Sequence, residues 1–595
     1  MPSTFFGLNI GLSGLYTYQA GLNTTAHNVA NTETKGYTRQ IVNQSADNPL
    51  RVNSSYGMAG TGVVVTGIEQ ARNQYYDLKY RANNTMFGEY DAKYYYMKEI
   101  ENNFNDVTMQ GFTTSYNSLF ASLQGLSTDS ASLTKRTEVV NYAKSLTEYF
   151  NNQSNSLKSI QEECNFEIKN QVDSINSLAQ QISAVTKQIN TLESGGGIAN
   201  DLRDRRELLI DDLSKIVNVS VSEHVVGNDV GVTSFVVKID GQTLVNTDSY
   251  NTLKVVQRDV KQNQSDVDGL YDIQWGNGQN FNPQTTTIGG YLQSLFQVRD
   301  GNNKENFKGT AVDTTVGDNV LSIANSNVNA MEKLNIPSEG IITIDSREYK
   351  YTSFEAVYDS ATKTYQYNFT MENAITADMS GKSAAIGDSV DYKGIPYYMS
   401  QVNELVRTFA KEFNNVHKQG EDLKGEKGID FFNGTHPVTG ENYSLDTVTN
   451  GYYNITAGNF TITAAIYKDP NKIVTSSKTV ASGSPIEEGV EKNDILNKLL
   501  ALKGNTSMFK QGTPASFFQT IVAEVGVDSK KSEDFAKNQT NILSMVKNQR
   551  LSVSGVDSDE EGMNMVMYQR AYNLSSKVIS IMNEIYDKLI NGTAV

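Results

Sequence analysis

The chain has 595 residues, with 67 acidic against 51 basic side chains and a net charge of −16. That length predicts several domains, about four at roughly 150 residues each, and the acidic balance excludes nucleic acid as a partner, because neutralising phosphates takes basic patches. No apolar run reaches the roughly eighteen residues of a membrane-spanning helix, and the single cysteine, Cys164, at an apolar position in a helical stretch, excludes an intramolecular disulfide and reads as a core residue.

No charged side chain precedes Glu33. Phe5, Leu8, Leu12, Leu15, Leu22, Ala26 and Val29 recur there at steps of three and four, with Gln19 in the one polar place, which is the heptad seam of a helix. Gly7, Gly11, Gly14 and Gly21 form a second stripe beside it. Glycine within a helix costs about 1 kcal/mol relative to alanine. A helix so loaded is expected to be ordered only when packed among others. Asn28, Asn31 and Gly36 then stop the helix and turn the chain. This end has neither the basic flank nor the unbroken apolar core of a cleaved signal peptide, and composition alone reads as cytoplasmic. From Ile41 to Ile68 the chain reads as extended. The glycines around Val63-Val64-Val65 fit a hairpin or bulged strand, since no Lys-Ser pair follows to make a phosphate loop.

Helical periodicity takes over from about Gln70 to Asn218. Phe112, Tyr116, Leu119, Phe120, Leu123 and Leu126 mark one amphipathic helix. Leu157, Ile160, Cys164, Ile168, Val172, Ile175 and onward to Leu192 mark a much longer one. Gly195-Gly196-Gly197 breaks it, and Asn200 restarts a helix that closes on Leu213 and Val217. From Val219 the period switches to two: Phe235, Val237 and Ile239 lead to an Asp240-Gly241 turn, and a β-domain continues to Ile288. Gly290 to Arg299 and Pro396 to His417 read as consecutive helices. The β-like stretch between them is expected to be an insertion, placed where a surface domain leaves a core undisturbed. Residues 436–510 mix strands and short helices, and Ala515 to Arg550 is helical. Asp557 to Glu561 opens the last helix, with Ser558 and Glu561 spaced as a capping box. Met567, Ala571, Leu574, Val578, Ile581 and Ile585 then repeat at four and three. The two terminal seams are expected to pair with each other.

The N-terminal helix closed by Ala30-Asn31-x-x-Thr34-x-Gly36-Tyr37 resembles the signature of bacterial flagellar axial proteins, the rod, hook and hook-associated subunits. Ser554-Gly555-Val556-Asp557 through Tyr568-Gln569-Arg570-Ala571-Tyr572 resembles their C-terminal motif. The helical hairpin with Asn200-Asp201-Leu202-x-Asp204-x-Arg206 is similar to the helical rod domain of hook-associated members, as are Asn414-x-x-His417-x-x-Gly420 and Gly428-Ile429-Asp430-Phe431-Phe432. A hook or distal rod subunit would share the first motif without the hairpin. The resemblance implies a structural subunit of the flagellum at the junction of hook and filament. It also implies an extracellular place, reached through flagellar type III export without a cleaved signal peptide. The implied partners are further copies of the chain in a ring or helical assembly, the hook protein, the next hook-associated junction protein, and a cytoplasmic export chaperone on the C-terminal helix. Neither nucleic acid nor membrane insertion is implied. The alternatives are a hook or distal rod subunit, or an axial scaffold displaying a secreted enzyme or adhesin domain.

The expected fold is multidomain α+β: terminal coiled-coil helices and a long α-helical rod domain, with β-rich outer domains inserted. Residues 1–70 with 546–595 form the terminal assembly domain. Residues 71–218 with 289–300, 395–435 and 511–545 form the rod. Residues 219–288 form a β-domain, 301–394 the inserted surface domain, and 436–510 an outer segment. The expected assembly interface is Leu8, Leu12, Leu15, Leu22 and Val29 with Met567, Leu574, Val578, Ile581 and Ile585. No catalytic, cofactor or metal residue is nominated. His27, His224, His417 and His436 lack ligand spacing and read as structural or exposed. Trp275 falls in a Gly-rich turn, and Tyr349, Tyr351, Tyr365 and Tyr367 read as cross-strand packing.

Overall fold

The computed structural model describes residues 5–51, 57–104, 111–226, 232–312, 314–360, 362–445, 451–478 and 493–592. Helix α1 (Phe6–Ala30) leads into a hairpin of β1 (Gln40–Ala46) and β4 (Val63–Gln70), with the short pair β2 (Leu50–Arg51) and β3 (Met58–Ala59) between them. Helices α2 (Gln74–Phe104), α3 (Phe112–Leu126), α4 (Leu133–Glu193) and α5 (Asn200–Ile216) follow. An antiparallel sheet then runs in order β5 (Val219–Val225), β6 (Thr233–Ile239), β7 (Gln242–Asn246) and β8 (Ser249–Tyr250). Strand β10 (Tyr271–Trp275) lies between β9 (Leu253–Gln257) and β11 (Asn280–Phe281). Helices α6 (Gly290–Asp300) and α7 (Ile395–His417) bracket a closed barrel. Its strands are β12 (Phe307–Val312), β13 (Val320–Ala324), β14 (Gly340–Ile344), β15 (Arg347–Asp359), β16 (Thr364–Met371) and β17 (Ser383–Ile386), in order β12-β13-β16-β15-β14-β17. Strand β18 (Phe432–Gly434) pairs with β19 (Phe460–Ile462), and α8 (Ala464–Lys468), α9 (Asp494–Ala501), α10 (Pro514–Ser554) and α11 (Ser558–Asn591) complete the chain.

The rod is organised by α4, 61 residues long. Its stripe Leu146, Phe150, Leu157, Ile160, Cys164, Ile168, Val172, Ile175 and Ile182 is buried, because three- and four-residue steps keep one face turned to its neighbours. Helices α3 and α5 pack on α4, while α10 lies along α2. Helix α10 starts cleanly: Thr513 accepts from Ser516 N–H at 3.1 Å, and Pro514 occupies the first turn. It continues unbroken past position 546 to Ser554. The terminal segment therefore begins at Gly555, later than the sequence boundary, since no residue between 546 and 554 can break the helix.

Several described residues of the 436–510 stretch pack into the rod core, which the expected outer segment does not. Ile462, Ile466, Ile473, Val474, Ile495, Leu496 and Leu499 belong to the same core as α4 and α7, and part of the stretch lies outside the described residues. Its apolar residues are aperiodic, so only burial reveals where they go. Trp275 ends strand β10, buried, with its ring 6.0 Å from Phe281, rather than sitting in a turn.

The barrel leaves and rejoins the rod at one point. Gly394 N–H and Tyr397 N–H both donate to Gly301 O at 3.1 Å. A Cβ on Gly301 would lie 2.7 Å from Gly394 N, so the crossing strands need glycine. The barrel has its own core of Phe307, Leu321, Ile323, Ile342, Tyr351, Tyr367 and Phe369. It is nevertheless held to the rod by Arg407 of α7, which is fully buried. That guanidinium donates to Leu334 O (2.7 Å) and Glu332 O (3.1 Å) at the barrel's foot, and to Ile455 O (2.7 Å), Tyr453 O (2.8 Å) and Gln264 Oε1 beyond it. The Tyr453 hydroxyl donates to Ile336 O, and its ring packs on Phe354 at 5.0 Å.

His417, at the end of α7, is also fully buried. Its Nδ1–H donates to Ile429 O at 2.6 Å, and Nε2 accepts from Val474 N–H at 2.9 Å. Accepting at Nε2 requires the neutral ring with its proton on Nδ1. Burial pushes its pKa down to about 4. The unfolded chain takes up this proton near pH 6.5 and the folded chain only near 4, so the contribution is complete above about 6.5 and is lost as pH falls towards 4. Its size is about 3 kcal/mol at 1.36 kcal/mol per pKa unit. Asp204 of α5, lifted by burial to about 6, changes stability in the opposite sense. Urea unfolding of the wild-type and His417→Gln chains between pH 4 and 7 isolates the histidine. The wild type is expected to lose more stability on acidification, and parallel curves would refute the assignment.

Candidate assembly interface

Helices α1 and α11 run antiparallel along each other. The Phe5 and Tyr586 rings are 5.1 Å apart at one end, and Asn28 Nδ2 donates to Glu561 Oε2 at 3.1 Å at the other. Between them the contact passes through the glycines. A Cβ on Gly7 would meet Met582 Cε at 2.7 Å, one on Gly11 would meet Ile579 Cγ1 at 2.9 Å, one on Gly14 would meet Ser575 Oγ at 2.8 Å, and one on Gly21 would meet the Tyr568 ring at 2.7 Å. The buried residues of α1 are Gly11, Gly14, Thr17, Gly21, Thr24, Thr25 and Asn28.

This corrects the expected pairing of the two apolar seams with each other. Leu8, Leu15 and Leu22 are half-buried, and Leu12 and Val29 are exposed. On α11, Val578, Ile581 and Ile585 are exposed, with Met567 at 54% and Leu574 at 68%. Each stripe lies one residue beside the real seam. The reason is complementarity of size. Tyr568, Ile579 and Met582 are long enough to fill the grooves that glycines leave, and the helix backbones come close, whereas facing leucines would hold them apart.

Aspartate 557 caps α11, its carboxylate accepting from Asp559 N–H (2.9 Å) and Glu560 N–H (3.2 Å). The helix starts at Ser558, so the expected Ser558–Glu561 capping box is out of frame. Glu561 turns instead into the joint with α1, buried, where it accepts from Asn28 and from Arg39 Nε at 2.7 Å.

Of the residues that carried the family resemblance, Tyr37 reaches that joint, while Asn31 and Thr34 bond within the turn that leads to it. Asn28 Oδ1 accepts from the Tyr37 hydroxyl (2.7 Å) and Gln40 N–H (3.0 Å), while Nδ2 donates to Gln40 O (2.9 Å). Asn31 Nδ2 donates to His27 O at 3.0 Å, and the Thr34 hydroxyl donates to Asn31 Oδ1 at 3.1 Å. Gly36 takes φ +83°, and a Cβ there would lie 3.3 Å from Leu208. Ala30 is the last, exposed residue of α1. The joint continues into the rod. Thr38 N–H donates to Asp204 Oδ2 at 2.9 Å, and Arg39 N–H donates to Ser554 O at 2.9 Å. Arg72 bridges Asp77 (2.7 Å) and Glu207 (3.2 Å), and Arg550 reaches Asp77 (2.9 Å) and Asp211 (2.5 Å). The roles of Arg39, Glu561 and Asp204 were not legible in the sequence.

Among the described residues, no group of three or more His, Cys, Asp or Glu side chains is placed to hold a metal, and no helix is long and apolar enough to cross a membrane.

A family model described as the flagellar hook-associated protein FlgK helical domain matches residues 97–345 and 333–432. Another, described as the flagellar basal body rod FlgEFG protein C-terminal, matches residues 547–592. Flagellar hook-associated protein 1 of Bacillus subtilis is 26% identical over 613 residues, covering 100% of this chain and 99% of its own length. That of Escherichia coli is 26% identical over 597 residues, covering 98% and 99%. The solved flagellar hook junction protein FlgK from Burkholderia pseudomallei is similar at a TM-score of 0.45 and 15% identity, covering 80% of this chain and 100% of that one. The helical-domain matches together run from residue 97 to 432, more than half of the sequence, and the chain belongs to the flagellar hook-associated protein FlgK family.

Proposed function

We propose that the chain is a structural subunit of the bacterial flagellum that forms the junction between hook and filament and joins its neighbours through α1 and α11. The observation that carries this reading is the outside of that helix pair. It is apolar along both helices, with Leu8, Leu12, Leu15, Leu22 and Val29 on one and Met567, Leu574, Val578, Ile581 and Ile585 on the other. Contiguous apolar surface of this kind marks a contact site in a soluble chain. The helical-domain match favours the junction over a hook or distal rod subunit. The flanking partners are the hook protein on one side and the next hook-associated protein on the other. The same stripe on α11 needs cover before export, which assigns it to a cytoplasmic chaperone ahead of passage through the flagellar type III channel to the outside. The test is removal of the chain from the cell. Hooks without filaments are expected, and the full chain restores filaments and is labelled between hook and filament. A chain ended at Gly555 restores nothing and no longer binds the chaperone. Filaments on cells lacking the chain would overturn the reading.

A further inference from the structure

We propose that the cleft between α2, α5 and β5 binds a small oxyanion of the phosphate type, with Arg206 as its anchor. The site does not rest on the assembly reading. The cleft has a volume of about 350 Å³ and is reached by four arginines, Arg72, Arg81, Arg203 and Arg206. Three of them lie between two carboxylates each. Arg72 bridges Asp77 (2.7 Å) and Glu207 (3.2 Å), Arg81 bridges Glu207 and Asp211 (2.9 Å), and Arg203 bridges Glu193 (2.7 Å) and Glu223 (3.2 Å).

Arg206 is different. It is 1% exposed. Its Nη2 donates to Glu223 Oε2 at 2.9 Å, and Glu207 Oε1 stands off at 3.6 Å. Its Nε and Nη1 have no hydrogen-bond partner among the described residues. Buried donors on a charged group are costly unless acceptors meet them. Burial lowers the Arg206 pKa, and Glu223 and Glu207 do not restore it. Burial acts on Arg72 and Arg81 too, but there the carboxylates more than offset it. Arg206 therefore lacks both acceptors and compensating negative charge. The Phe235 ring, its centroid 3.7 Å from Cζ, covers one face of the guanidinium and fixes the plane in which the unpartnered N–H groups lie.

An oxyanion supplies both. Water meets the donors but brings no charge. Asp77, Glu207 and Glu223 also line the cleft, but each is shared by two arginines: Asp77 by Arg72 and Arg550, Glu207 by Arg72 and Arg81, Glu223 by Arg203 and Arg206. None of the three presents an uncompensated charge to repel an anion. Gln74 of α2 and Ser222 and His224 of β5 line the cleft as well and can donate. With Arg206 on α5, donors come from three elements. A tetrahedral oxyanion directs oxygens to several sides at once and a planar carboxylate does not, which favours phosphate or sulfate.

The test uses the full chain, titrated with inorganic phosphate at constant ionic strength, with chloride as the balancing salt. Calorimetry is expected to give one phosphate per chain, and the unfolding temperature to rise with phosphate concentration. Arg206→Lys keeps the positive charge but lacks the planar donors, so its affinity should fall about tenfold or more. Equal stabilisation by phosphate and chloride, or undiminished binding by a folded Arg206→Lys chain, would overturn the proposal. A second measurement needs no variant. In crystals of the wild-type chain soaked with selenate, an anomalous selenium peak is expected within hydrogen-bonding distance of Arg206 Nε or Nη1. Water alone at those donors, an adventitious ion only, bound elsewhere, or a carboxylate of a neighbouring chain in the cleft contradicts the assignment.

Discussion

Gly21→Leu is expected to abolish filament growth while leaving the rod folded. A Cβ at position 21 would stand 2.7, 2.8 and 2.9 Å from three atoms of the Tyr568 ring. A ring yields less easily than the end of a flexible chain, and overpacking of this kind costs about 1–3 kcal/mol. The local propensity acts the other way. Leucine is better than glycine in a helix by nearly 1 kcal/mol, so the substitution strengthens α1 by itself. Any loss must then come from the seam with α11. The control is Gly526→Ala in α10, where the added methyl meets no other part of the chain beyond its own helix. That chain is expected to be at least as stable as wild type and fully motile. Swimming assays and electron microscopy of hooks check both. Normal filaments on Gly21→Leu cells would show that the glycine stripe is not the seam.

Removing the whole barrel is expected to do less harm than removing one side chain that holds it. Deleting residues 302–393, with a short Gly/Ser linker from Gly301 to Gly394, reconnects points that are already hydrogen-bonded. Loop-closure entropy grows only with the logarithm of length, so the shorter connection costs little. Arg407 loses Leu334 O and Glu332 O but gains water in their place, and keeps Ile455 O and Tyr453 O. Arg407→Met in the full chain is different. It leaves carbonyls of Glu332, Leu334, Ile455 and Tyr453 buried without this donor, at a cost of about 3–5 kcal/mol in all. We expect the deletion chain to unfold within a few degrees of the wild type and to support filaments. The Arg407→Met chain should lose more stability, by thermal unfolding, than the deletion chain. Bare hooks with the deletion chain exported and stable would show that the barrel takes part in assembly.

Much of this architecture could be read from periodicity. The buried stripe of α4 from Leu157 to Ile182 is the one its spacing marks, and the switch to period two after Val219 marks β5 and β6. The terminal seam was not legible in the same way. The glycine and leucine stripes of α1 have the same period and differ by one residue, so periodicity shows that a seam exists without showing which stripe forms it. The choice is made by Tyr568, Ile579 and Met582 at the far end of the chain, whose size matches the glycine gaps. Glu561 is a related case. Its local spacing fits a capping box, but Asn28 and Arg39, more than five hundred residues away, claim its carboxylate. Ile466, Val474 and Ile495 lie in short irregular segments with no period, so their burial in the rod core was invisible.

The claim on which the account depends is that α1 and α11 meet through the glycine stripe. A Cβ on Gly14 would lie 3.6 Å from Ser575 Cβ, within the separation a disulfide spans. The measurement is oxidation of the Gly14→Cys/Ser575→Cys chain in assembled flagella, followed by a non-reducing gel. A faster-moving single chain, reversed by reductant, is the predicted result, with no such band from Leu15→Cys/Leu574→Cys. The reverse pattern, a band from positions 15 and 574 and none from 14 and 575, would contradict the account.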